Sequence, residues 1–262
     1  MPAPFDSNGL WVLIGVAVLL GIFVLPYVLG PVLIYFTMKV SGRPTLKEFY
    51  LEDPRVPRDT WEYVDDTLEE IERDGFAVLG AYFLGTLVPN VRSFVVLIGK
   101  QQTRELGLIA VTYGEAGLAR MRQRHVEFST SFSAGGCVDT SNAEELSAFL
   151  PVPGRVANQL PWIRDVRRLY RIHRTVADRE RRGAERAWKV GDDPAAYLEA
   201  NLAEELARQV PTGCLRRDAS GDYRPTVKSA VRIAFQNLWP FSMIAKARRR
   251  SRGEKLLREL QV

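Results

Sequence analysis

The chain has 262 residues, 46% of them apolar and 26% charged, with a formal net charge of +5. That length and apolar content support a real buried core, which excludes a disordered protein and suits one domain with additions better than two full domains. Two cysteines, Cys137 and Cys214, and two histidines, with no CxxC and no clustered partners, exclude a disulfide framework and a zinc site, so no metal and no cofactor are expected.

The first element is an uncharged run of 29 residues, Leu10 to Met38. A bilayer core needs only about 20 helical residues, so residues 1–40 read as a tail and one transmembrane anchor. Pro26 and the Gly30–Pro31 pair are expected to bend or interrupt it. The N-terminus lacks the basic start of a cleaved signal, whereas Lys39, Arg43 and Lys47 follow the run, which predicts an outside N-terminus and a cytoplasmic remainder at the inner membrane. Ala17 and Gly21 form a small-xxx-small step compatible with a homodimer.

Residues 41–58, holding Pro44, Pro54 and Pro57, read as a linker, and residues 59–262 as an α+β domain. In its first part, 59–145, a helix is predicted from Asp59 or Thr60, with Trp61, Val64, Leu68 and Ile71 on one face and acidic residues on the others. Asp74-Gly75 ends it. Short runs rich in Val, Ile, Phe, Tyr and Thr follow, separated by Pro89-Asn90, by QQTRE and by Ala134-Gly135-Gly136. Val126, Phe128, Thr130 and Phe132 alternate with Glu127, Ser129 and Ser131, the pattern of a strand with one wet face in a mostly antiparallel sheet. EAGLARMRQR reads as one or two helical turns between strands.

The second part, 155–262, reads as helical, with helical pattern returning from SNAEELSAFL onward. A long helix is predicted from about Ala157 to Arg186, apolar along Ile163, Val166, Leu169, Tyr170, His173 and Ala177 and backed by arginines. DPAAYLEANLAEELARQV forms the next, and a third begins near Thr226 and is interrupted at Pro240. Around that proline, Phe235, Trp239 and Phe241 are followed by Lys246, Arg248, Arg249, Arg250 and Arg252. Rings beside cations suit a helix lying at a lipid surface, so these residues, with Trp11, Lys39 and Arg43, are the candidate membrane-interface set and the lipid bilayer the expected partner. The rival reading closes the domain core with the aromatic residues and leaves the arginines in solvent.

Catalytic signatures are scarce. No phosphate loop, dinucleotide fingerprint, zinc-protease motif or nucleophile elbow occurs. His125, Cys137 and Asp139 are the best candidates for a thiolate nucleophile with its base and orienting carboxylate, provided they meet in space. His173 sits inside an apolar helical stripe and reads as a packed histidine. Arginine outnumbers lysine 29 to 7, but no groove-reading or base-stacking motif accompanies it, which disfavours nucleic acid. Two functions are carried forward: a non-enzymatic interaction or scaffold module beside a bilayer, engaging a protein partner or a second copy, and an enzyme acting on lipid headgroups or peptides.

Overall fold

The computed structural model describes residues 7–48, 58–84, 91–116, 119–181, 183–188 and 193–261. Pro54, Pro57 and the Pro89-Asn90 turn lie outside the described residues. In chain order the elements are α1 (Ser7–Thr37), β1 (Leu46–Glu48), α2 (Arg58–Glu72), β2 (Ala77–Leu84), β3 (Val91–Lys100), β4 (Glu105–Ala116), β5 (Ala119–Ser131), β6 (Cys137–Ser141) and β7 (Arg155–Gln159). Then come α3 (Val166–Glu180), α4 (Pro194–Arg208), β8 (Leu215–Arg217), β9 (Tyr223–Pro225), α5 (Val227–Asn237) and α6 (Phe241–Leu260).

Seven strands form one sheet in sequence order, β1 to β7, and a second, two-stranded sheet pairs β8 with β9. Neighbours in the large sheet are antiparallel except β6 and β7, which run parallel, so the sheet is mixed. The Gly135–Gly136 turn joins β5 to β6 with both glycines at positive φ, 86° and 97°, where a side chain would be strained. The fold is α+β.

Alternation along the strands splits the sheet into two faces. Phe94, Val96 and Ile98 of β3, Ile109 of β4 and Val126 and Phe128 of β5 point one way into the main core. α2 and α3 cover this face. α2 contributes Val64 and Ile71, and α3 contributes Val166, Leu169, Ile172 and Val176. Asp165 caps α3 by accepting a hydrogen bond from the Arg168 backbone N–H at 2.8 Å. The opposite face carries Val95, Leu97, Leu108 and Ala110, covered in part by Ala195 and Leu198 of α4.

Three expectations about elements change. In EAGLARMRQR, the described residues 115–116 and 119–124 are strand, not helix: they belong to β4 and β5, with Glu115 paired to Arg120. The helix predicted from Ala157 is preceded by β7: Val156 and Ala157 pair with Val138 and Asp139, and the helix begins only after the Asp165 cap. No helix forms in the described SNAEELSAFL stretch, where Asn142 instead uses its side chain to accept from the Val126 N–H at 2.7 Å.

The expected anchor is also corrected. Among the described residues, no helix is long and apolar enough to cross a membrane. The single-pass topology, the outside N-terminus and the inner-membrane address inferred from Leu10–Met38 are therefore not supported. In the second half of α1 one side packs on protein, while Val28, Val32 and Phe36 stay exposed. α1 continues through Pro26 and Pro31, and the Tyr27 ring meets Phe235 and Phe241 edge-on at 5.4 and 6.3 Å. Gly30 faces Ala234 of α5, where a Cβ would lie 3.4 Å from that of the alanine, an ordinary contact distance. Beyond the helix, Val40 and Tyr223 exchange two backbone hydrogen bonds, and Lys39 pairs with Asp222 at 2.8 Å.

Candidate ligand-binding cavity

The polar half of the β5 alternation does not face open water. Register places His125 opposite Ala110, Glu127 opposite Leu108 and Ser129 opposite Leu106. All three therefore share the second face of the sheet. On the other side of β5, Ser129 pairs with Asp139 and Ser131 with Cys137, and Cys137 in turn pairs with Arg155 of β7. α4 lies over this face and encloses a cavity of about 590 Å³ between helix and sheet.

The cavity has two chemically distinct ends. Leu46, Leu84, Val95, Leu97, Leu108 and Leu198 line one. At the other, Arg155 Nε donates to Asp139 Oδ2 at 2.5 Å, and its Nη1 pairs with Glu205 of α4. Ser129 Oγ donates to Asp139 Oδ1 at 2.7 Å, and Cys137 Sγ donates to the same oxygen at 3.2 Å. Burial works against the Arg155 charge, but Asp139 and Glu205 outweigh it and push the guanidinium above its ordinary range.

Glu127 is different. Among the described residues its carboxyl makes no hydrogen bond and no ion pair, and it lines the cavity. Burial, reinforced by the negative charge of Asp139, pushes it up to about 8, with Arg155 pulling in the other direction. The group is thus mostly a neutral carboxylic acid at neutral pH.

Of the candidate catalytic residues, the fold brings Cys137 and Asp139 together and leaves His125 apart. His125 sits six residues along β5 from Ser131, the pairing partner of Cys137, a separation of roughly 20 Å at strand rise. Burial pushes the Cys137 thiol up to about 12, aided by Asp139, which opposes thiolate formation. Burial lowers the His125 pKa and keeps the imidazole neutral. The three do not compose a nucleophile and its base.

The candidate interface residues divide. Trp11 and Trp239 are about two-thirds exposed, and Phe241 is exposed as well. Phe235 stacks on Phe241 at 5.4 Å and is half-buried. Lys39 is tied to Asp222, while Arg43, Lys246, Arg248 and Arg252 lie open. Arg249 turns inward and donates to the carbonyls of Glu144 and Glu145 at 2.9 and 3.2 Å. Arg250 pairs with Glu254 at 2.8 Å and lies over the Trp162 ring.

Glu127, Arg155 and Glu205 are candidate site residues that sequence reasoning passed over. Their signal was present in the β5 alternation itself, since Glu127 stands on the polar side of a stretch whose other side, Val126, Phe128 and Thr130, is buried. Nothing in the sequence announced that α4 would roof that side. Comparison with known proteins returns no match: no family model, no curated protein and no solved structure is similar to this chain.

Proposed function

We propose that this domain binds a small amphipathic molecule between its sheet and α4. The observation that carries the reading is the Glu127 carboxyl, without a partner among the described residues, facing a cavity whose far end is apolar. Glu127 is half-buried, so its carboxyl opens into the cavity with acceptor oxygens that a ligand donor can engage. A cavity of several hundred Å³ with mostly apolar walls and a few convergent polar groups is the usual form of a ligand site. The test is native mass spectrometry of the full chain purified from cells, followed by thermal shift against a small-molecule panel. A retained or added small molecule should raise the melting temperature, and Ala110→Leu, which fills the cavity floor, should abolish that gain. A chain that retains nothing and is stabilised by no member of the panel would overturn the reading.

A second reading, self-association, is favoured by an exposed apolar face. Val28, Val32 and Phe36 of α1 and Trp239, Met243 and Ile244 at the α5–α6 junction all lie open. Contiguous apolar surface of this kind marks interaction sites. Exposed Arg248 and Arg252 adjoin it, and the same chain exposes Asp65, Asp66 and Glu69 on α2, so a second copy supplies the acidic complement. Light scattering over a concentration series should show a dimer that Trp239→Ser with Met243→Ser disperses; a monomer at every concentration would refute it.

A further inference from the structure

Resting on the reading of the cavity as a binding site, we infer that its occupant is a protonated amine carried on an apolar body, the ammonium lodging among Glu127, Asp139 and Glu205. The groups around the polar end come from four elements. They are His125 and Glu127 of β5, Cys137 and Asp139 of β6, Arg155 of β7, and Glu204, Glu205 and Arg208 of α4. Glu204 and Arg208 pair with each other at 2.5 Å, and Arg155 is shared by Asp139 and Glu205.

What remains is one carboxyl without a cation. Asp139 and Glu205 share the Arg155 guanidinium and Glu127 lines the same cavity without a cation of its own among the described residues, while His125 and the Cys137 thiol are neutral. An empty cavity meets this imbalance by keeping the proton on Glu127. An ammonium meets it differently: it supplies the missing positive charge and three N–H donors, for which Glu127 and the free lone pairs of Asp139 and Glu205 are acceptors. A carboxylate or phosphate head is disfavoured, because Arg155 is already engaged twice, Arg208 is paired with Glu204, and the remaining charged groups at this end are acidic.

The apolar end sets the rest of the ligand. Leu84, Val95, Leu97 and Leu108 dominate this end, and its two hydroxyls, Ser93 and Thr112, bond each other at 3.2 Å, so the body received there is a hydrocarbon chain or ring. When the ammonium enters, the Glu127 proton passes to solvent and the amine keeps its own. One proton is therefore released per ligand bound at neutral pH.

The probes are n-octylamine, n-octanol and octanoate, titrated calorimetrically into the full chain at pH 7 in two buffers of different ionisation enthalpy. Octylamine should bind at least ten-fold more tightly than octanol and release close to one proton, and octanoate should bind worst. Glu127→Gln, nearly isosteric, should bind octylamine and octanol alike with no proton released. Octanol or octanoate binding as tightly as octylamine to the unaltered protein would overturn the amine assignment and leave the cavity standing as a binding site. Failure of all three to bind, in a protein that Ala110→Leu leaves unchanged toward every ligand, would overturn the cavity reading itself. Should Glu127→Gln not fold, the proton count on the unaltered chain decides alone.

Discussion

Arg186 Nη1 stands 2.7 Å from Oε1 of Glu105, a carboxylate without solvent exposure at the start of β4. The other oxygen of Glu105 accepts from the Tyr170 hydroxyl at 2.6 Å and from Thr103 Oγ1 at 2.5 Å. Arg186 also donates to the Thr103 carbonyl, which ties the segment after α3 to the β3–β4 turn. Removing the cation leaves a buried charge with two hydroxyl donors only. Arg186→Ala should cost about 3–5 kcal/mol in urea unfolding, whereas Arg186→Lys should recover part of it. A loss under about 1 kcal/mol would show that water reaches Glu105 and replaces the ion pair.

Stability should fall with rising pH between about 6.5 and 8, and Glu127 is the cause. In the fold it holds its proton up to about 8, against 4.5 for an unshifted glutamate. Across that interval the unfolded chain binds fewer protons, so each step upward in pH favours unfolding until about 8 is passed. His173 works in the opposite direction and lower. Burial depresses it to about 4 from 6.5, so its contribution is lost as pH falls through that interval. His125 is depressed in the same sense. Above about 6.5 the histidines no longer oppose Glu127. Unfolding free energies measured in urea at pH 6.5 and 8 should differ by up to roughly 2 kcal/mol, and Glu127→Gln should flatten the difference while becoming more stable than the original at pH 8. Identical slopes in the two proteins would assign the pH dependence elsewhere.

The sheet and most helices were legible because their signals are local. α2 and α4 have an apolar stripe or a cap within reach of their own sequence: Asp193 accepts from the Ala195 and Ala196 N–H groups. The same holds at the α5–α6 boundary, where Thr226 caps one helix and Pro240 precedes the next. What escaped was long-range. The strand β7 is short and reads as the start of a helix until its parallel pairing with β6 is seen. The apolar N-terminal run reads as a span until α5 is found packed on it through Gly30 and Tyr27. The cavity was hidden for the same reason: its floor is a strand alternation visible at residues 125–131, but its roof lies some seventy residues later in α4.

Gly253, buried on α6, permits that helix to lie on the core. A Cβ there would come within 2.6 Å of the Trp162 ring and 2.7 Å of Leu160 Cδ2. Leu160 is fully buried and follows directly from β7, so it has little room to yield. Gly253→Ala should therefore destabilise by about 1–3 kcal/mol despite alanine's better helix propensity, which favours the substitution by about 1 kcal/mol in an open helix. A stabilised variant would show that Trp162 rotates aside freely.

Arg249 and Arg248 are neighbours in the basic run of α6 with different duties. Arg249 Nη1 reaches the backbone carbonyls of Glu144 and Glu145, closing the chain between β6 and β7 onto α6. Arg248 is exposed. Hydrogen bonds from a charged donor are worth about 1.5–3 kcal/mol, so Arg249→Ala should lower the unfolding free energy in urea by about that amount. Arg248→Ala should stay within about 0.5 kcal/mol of the original, as exposed substitutions do. Hydrogen exchange then separates the two cleanly: amides of residues 142–146 should lose protection in the Arg249 variant and keep it in the Arg248 variant. Equal effects of both substitutions would mean that the run acts through summed charge rather than through one inward-turned arginine.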